Sequence, residues 1–421
     1  VKDVDLFSKR PLGRRQFIRL GVGFVAGAAL ASASPAYVRA AFDEETSDAE
    51  QNEVLVVLQL GGGNDGLNTA IPYANGLYHD ARQALSIDSE EMHLIDDRVA
   101  LHPSMYGIKE LYDRGEVAIV EGVGYPSPNR SHFRSMDIWH TASTNPDVET
   151  GWLGRLLDAS TYEQDSKWRG VNIGGESVRA LDAGHFVPSL DSIPSYVLQS
   201  DPRGAKKAIN YLRREKRNRG MADSETFQYL TSRVADLQDR RTMDWLQLQS
   251  LQAGDLAQQA EYGGQLAFLS NAGISAYQST LELHADTSDY EPAVTYPEAP
   301  VSNALKTCAE LINSNLGTGI CYVTVGGFDT HGLQLTQQAK LLNDISDGLL
   351  AFHNDLRSHQ QNDRVTTLVW SEFGRRFAAN GSGGTDHGTA GTAFLIGGSV
   401  EGGLYGEPSS LKSLDGNKDL R

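Results

Sequence analysis

Five polar clusters in this chain combine carboxylates, imidazoles and glycines: Gly61-Gly62-Gly63-Asn64-Asp65-Gly66, Asn129-Arg130-Ser131-His132, Gly326-Gly327-Phe328-Asp329-Thr330-His331-Gly332, Ser371-Glu372-Phe373-Gly374-Arg375 and Gly384-Thr385-Asp386-His387-Gly388. Carboxylate and imidazole donors without sulfur suit zinc, manganese, magnesium, calcium or iron. The glycines let backbone segments approach one another closely around such a group. Each cluster alone has a plain explanation: Asp65 closes a turn or caps a helix, Glu372 and Arg375 form a surface ion pair, and His331 is a satisfied loop histidine. Their placement directly after apolar runs, or shortly beyond the last of them, gives the metal reading its weight.

Those runs are residues 53–60, 116–120, 320–325 and 365–370, short and continuous as in strands buried on both faces. Helical patterns lie between them at 104–114 and 337–356, and another at 305–312. Alternating strand and helix predicts an α/β fold with a mainly parallel central sheet flanked by helices. In such sheets ligands bind beyond the carboxyl ends of the strands. Residues 204–285 have a different texture, rich in Gln, Arg, Leu and Ala with helical spacing over 227–251, and predict a helical insertion or cap. Residues 286–300, with three prolines, read as a connecting loop. Cys308 and Cys321, the only cysteines, read as core thiols rather than a disulfide, and their spacing makes neither a zinc finger nor a redox motif.

The first forty residues predict export. Arg14-Arg15-Gln16-Phe17 precedes a glycine-diluted apolar stretch over 20–33 and the small-residue site Val38-Arg39-Ala40. This resembles a twin-arginine signal cleaved near Ala40, with 41–52 as a linker and residues 53–421 as the folded domain. The apolar stretch is shorter than the roughly 20 residues a membrane span needs, so no stable transmembrane anchor is expected in the mature form. The expected location is the periplasm or another exported compartment, reached through the twin-arginine translocation machinery. The whole chain carries a net charge of -17, and the leader holds seven basic and two acidic residues, so cleavage leaves -22. A surface that acidic argues against nucleic acid as a partner.

Segments 57–68 (VLQLGGGNDGLN), 122–139 (GVGYPSPNRSHFRSMDIW), 326–334 (GGFDTHGLQ), 371–376 (SEFGRR) and 380–388 (NGSGGTDHG) resemble, in this order and over nearly the whole mature chain, the exported family known as domain of unknown function 1501. That family is similar to the alkaline phosphatase and sulfatase superfamily, so the resemblance implies an alkaline-phosphatase-like domain with one or two divalent metals. It implies Asp65 as a ligand of one metal and Asp329 with His331 as ligands of the other. Where the superfamily places an Asp-His pair this chain has Glu372-Phe373, and Asp386-His387 takes the place of the final histidine or of the missing pair. Ser131, at a predicted helix start with Arg130 and His132 beside it, matches the nucleophile position; its alternative is a helix cap. The position where sulfatases carry their reactive Cys or Ser is Pro126, which disfavours that chemistry. The resemblance also implies a further helix beyond the polar ending at 416–421.

Two functions remain open from sequence. One is a metal-dependent hydrolase or transferase acting on a small anionic ester, a phosphate or a relative, in which Arg130 or Arg375 helps hold an anionic oxygen. The other is an exported binding or assembly protein that retains the fold and a structural metal without turnover.

Overall fold

The computed structural model describes residues 53–88, 90–159, 168–174, 177–184, 187–193, 283–314, 316–415 and 419–420. The export signal, the linker and all but the last three residues of the expected insertion over 204–285 lie outside them. The chain divides into two compact units, Val1–Ser195 with Asp286–Arg421 and Tyr196–Ala285, and every strand and helix named below belongs to the first.

Its framework is one eight-stranded sheet with the order β11-β5-β10-β9-β1-β8-β6-β7. The centre is β1 (Val54–Leu60), flanked in parallel by β8 (Ile320–Val325) and β9 (Val365–Trp370). Leu58 stands opposite Val323 on one side and Val369 on the other, and all three are buried. The outer members are β5 (Val117–Val123), β6 (Gly170–Ile173), β7 (Ser189–Leu190), β10 (Gly391–Ile396) and β11 (Gly403–Gly406). A separate small sheet joins β2 (Ala70–Ile71), β3 (His93–Leu94) and β4 (Ala100–Leu101).

The four apolar runs read from sequence are therefore strands of one sheet, with one difference in order. The run at β5 does not touch the central trio, because β10 lies between it and β9, antiparallel to both. The GTAFLI segment of β10 is itself an apolar run, a fifth beside the four expected. Its reversed direction also brings the chain back to the edge where β9 ends, so the loop from Gly374 to Ala390 stays on the side where β1, β8 and β9 finish.

Side chains alternate across the pleat, so residues in register share a face. Val57, Tyr322 and Leu368 point together into a core completed by Leu153, Leu156 and Leu157 of α4 (Trp152–Ala159). Thr367 faces the other way, where its hydroxyl meets His353 Nε2 at 3.1 Å. His353 belongs to α6 (Gln334–Ser358), which packs there with α2 (Tyr106–Asp113) and α5 (Pro300–Asn313). Helices on both faces explain why the central strands are apolar without alternation. Cys308 on α5 and Cys321 on β8 are buried free thiols. The remaining helices are α1 (Gly76–Ala81) and α3 (His132–Thr141), and α3 carries a residue to the edge where the central strands end. Among the described residues no helix is long and apolar enough to cross a membrane.

Candidate metal centre

Helix α3 is fixed to the sheet edge by its own side chains. Ser135 Oγ and Trp139 Nε1 both donate to the Glu372 carbonyl, at 2.6 and 2.9 Å. The next residue, His140, places Nε2 2.9 Å from Gln59 Oε1 on β1, which also accepts from the Tyr322 hydroxyl at 2.6 Å. These contacts bind the helix to β1, β8 and the end of β9, and so determine where its first residue, His132, is placed.

His132, Asp329 and His387 bring one donor atom each to within 4.8 Å of one another. His331 abuts two of the three, with Nε2 at 2.9 Å from His387 Nε2 and 3.1 Å from Asp329 Oδ1. His387 Nε2 is 3.0 Å from the same Asp329 oxygen, and His132 Nε2 is 3.5 Å from Asp329 Oδ2. Donor atoms sharing a tetrahedral metal with bonds of about 2.0–2.1 Å stand about 3.3 Å apart. The observed spacings straddle that value.

The other ring nitrogens decide what the cluster can do. His387 Nδ1 is 2.8 Å from the Arg130 carbonyl, which can only accept, so this nitrogen carries the proton. His132 Nδ1 is 2.8 Å from Glu372 Oε1, and His331 Nδ1 is 3.3 Å from Asp386 Oδ1. As neutral rings, all three then present Nε2 lone pairs to the Asp329 carboxylate. His132 Nε2 is buried without a hydrogen-bond partner. Lone pairs gathered on a carboxylate repel unless a cation lies among them, and an imidazole whose second nitrogen is held by a carboxylate or carbonyl is the usual form of a metal ligand. The donor set of His132, Asp329 and His387 fits a divalent cation, with His331 beside it, outside the group whose donor atoms all lie within 4.8 Å of one another.

Arg375 holds the carboxylate in place. The guanidinium is fully buried and donates to the carbonyls of Gly63 (2.6 Å), Thr385 (2.8 Å) and Phe328 (3.0 Å), to the Gly62 carbonyl, and to Asp329 Oδ1 at 2.7 Å. One side chain thus ties together the loops after β1, β8 and β9. Burial pushes the Asp329 carboxyl upward, but its hydrogen bond and pairing with the Arg375 guanidinium work against this, and the carboxyl is lowered to about 2. The loops approach this closely where glycines lack a Cβ, as at Gly62 and Gly384. A Cβ on Gly62, whose φ is +121°, would come within 2.4 Å of Asp329 N, and one on Gly384 within 2.4 Å of the Thr330 carbonyl oxygen.

The expected site residues divide into three sets. Asp329, His331 and His387 converge, joined by His132, which the sequence places beside the candidate nucleophile rather than among the ligands. Glu372 and Asp386 stand behind imidazoles: Glu372, fully buried, also accepts from Gly62 N at 2.8 Å, whereas Asp386 is about half exposed and accepts from Asn380 Nδ2 at 3.2 Å. The Asn380 amide, His331 and Arg376 hold the Asp386 carboxyl below its ordinary value.

Asp65 is not brought to the cluster. It opens the short turn Gly66–Asn68, where Oδ1 caps Leu67 N at 3.2 Å, and Oδ2 accepts from Arg82 Nη1 and from Gln334 Nε2 at 2.5 Å. Arg82 is fully buried, so the carboxylate is the counter-ion of a buried charge and the turn-capping reading applies. Nothing in the Asn-Asp-Gly motif signals Arg82, seventeen residues away in the chain.

Ser131 is the N-cap residue of α3 but makes no side-chain cap bond, and its backbone N–H donates to Asn129 Oδ1 at 2.8 Å. Arg130 turns its guanidinium to Asp419 and, at 3.7 Å, to Asp415, and serves the cluster through its carbonyl. Neither arginine is disposed to bind an external anion: Arg130 is paired and Arg375 is saturated.

The family described as protein of unknown function DUF1501 matches residues 52–415, and the chain belongs to it. No curated protein matches the chain.

Proposed function

We propose that this member of the family holds one divalent cation between His132, Asp329 and His387, with His331 beside them, and that the centre acts on a phosphate or related ester by hydrolysis or transfer. The observation that carries the reading is the common arrangement of the three imidazoles, with Nδ1 on an acceptor and Nε2 directed at one carboxylate. Two imidazole nitrogens and one carboxylate oxygen, with a third imidazole beside them, favour zinc, manganese or iron over magnesium and calcium, which prefer all-oxygen shells. A single site is favoured over two because both Asp65 oxygens are committed to Arg82, Gln334 and Leu67.

A cation held there would supply Lewis-acid polarisation of the ester's oxygen. The protein's own part is orientation. Glu372 and the Arg130 carbonyl fix the ring tautomers, and Arg375 fixes Asp329. Asp329 and His331 are each about half exposed, which leaves an open side for substrate. Helix α3 begins at the cluster residue His132, and a helix start favours an anion. Ser131 adjoins His132 and is exposed, whereas Thr330, between Asp329 and His331, is buried, so Ser131 is the candidate nucleophile. The ordering of the clusters along one sheet edge supports kinship with the alkaline phosphatase and sulfatase superfamily, and a twin-arginine leader suits a protein that folds around metal before export.

A second reading, a metal-holding protein of the exported envelope without turnover, is favoured by one observation: no base is hydrogen-bonded to Ser131 Oγ among the described residues. Elemental analysis of protein taken from its export route, with a panel of phosphomonoesters, phosphodiesters and sulfate esters, separates the two. One equivalent of metal with Ser131-dependent turnover is the expected result. Metal without turnover on any ester selects the second reading, and failure to bind metal refutes both.

A further inference from the structure

Large apolar side chains exposed among the described residues are Leu94, Tyr106, Phe133, Leu333 and Leu335. Three of the five lie within four residues of a cluster histidine: Phe133 follows His132, and Leu333 and Leu335 follow His331. Scattered exposed leucines need no explanation, but a concentration beside one polar site does.

Leu333 is placed against every local preference. Its φ of 51° and ψ of 30° lie in the left-handed region, where glycine or asparagine is favoured. It is also the N-cap of α6, where Ser, Thr, Asp or Asn would bond a free N–H, and leucine makes no such bond. Its side chain is 76% exposed, so packing returns little for either cost. Backbone outliers of this kind cluster at ligand sites. Phe133, 84% exposed at the second position of α3, likewise covers no core. Its Cα is about 3.8 Å from that of His132 across a trans peptide, and Leu333 is two residues from His331.

We infer that Phe133 and Leu333 form an apolar lip beside the cluster that makes the site select anions bearing an aryl or alkyl group over the bare inorganic anion. This rests on the anion-ester reading above. The polar head of such a molecule meets the cluster and the first turn of α3, while its apolar part covers side chains that otherwise face water. Partial burial of one ring against the lip corresponds to roughly tenfold in affinity.

The test uses metal-loaded full-length protein and two non-hydrolysable probes, inorganic phosphate and phenylphosphonate, titrated by calorimetry. Phenylphosphonate should bind about tenfold more tightly than phosphate. Phe133→Ala and Leu333→Gly should each bring the ratio of the two affinities toward one. Leu333→Gly should at the same time raise Tm, because glycine relieves the left-handed backbone, so a loss of preference in that variant cannot come from misfolding. Equal affinity of the two probes, or a ratio unmoved in both variants, overturns the lip while leaving the anion site standing. If neither probe binds the metal-loaded protein, the anion-ester reading fails and the lip with it.

Discussion

Glu372→Gln isolates the contribution of ligand orientation to the proposed centre. The side chain is fully buried and touches no other cluster atom than His132, whose Nδ1 lies 2.8 Å from Oε1. Glutamine preserves the volume, and its carbonyl oxygen can keep both the imidazole and Gly62 N. The amide nitrogen then faces Ser371 Oγ, which stands 3.1 Å from Oε2 in the native protein and has a lone pair to accept it. What is lost is the negative charge behind the imidazole, which raises its basicity toward a cation. Removing such an outer partner costs about 10- to 100-fold in metal affinity, or about 1.4–2.8 kcal/mol. Asp386→Asn should cost only a few-fold, because its contact to His331 is longer, at 3.3 Å, and solvent screens it. Competition against a chromophoric chelator, on zinc and on manganese, measures both. An unchanged dissociation constant in Glu372→Gln, with the variant folded by near-ultraviolet dichroism, would falsify the assignment of His132 as a ligand.

Asp65→Asn should separate fold from site: it leaves the buried Arg82 charge without its carboxylate and should destabilise by about 3–5 kcal/mol, while the metal stoichiometry of the folded fraction stays at one. Denaturant midpoints with elemental analysis check this, and a variant that loses metal but no stability would return Asp65 to the ligand set. Burial lowers His102, His140 and His353 to about 4 each, below the unfolded value of 6.5. The native state therefore binds fewer protons, and stability present above pH 6.5 is lost as pH falls toward 4, at up to about 1.4 kcal/mol per pH unit for each histidine. In urea unfolding between pH 7 and 5, His353→Gln should show a shallower loss than the native chain; an equal slope would contradict the linkage. Replacing Arg14 and Arg15 by lysine should leave precursor uncleaved in the cytoplasm, and normal export of that variant would sink the twin-arginine assignment.

Local sequence was enough for the strands at β1, β8 and β9 to within a residue, for the helical character of α2, α5 and α6, and for the five polar clusters in their order. These follow from local causes: apolar β-branched runs favour strands wherever they are buried, and glycines with short polar residues mark their ends. Which member of a cluster would face the site had no such local cause. Asp65 and His132 both sit in loops or helix starts beyond apolar strands. The choice between them lay with partners far away in the chain: Arg82 and Gln334 draw Asp65 into the interior, while Glu372, 240 residues from His132, holds that imidazole at the edge. Likewise the return of β10 between β5 and β9 set the side on which His387 arrives, and a buried arginine, indistinguishable in sequence from a surface one, drew three loops together. Side-chain direction in a loop is settled by whichever long-range hydrogen bonds and charges compensate its burial, and that compensation exists only once the sheet has assembled.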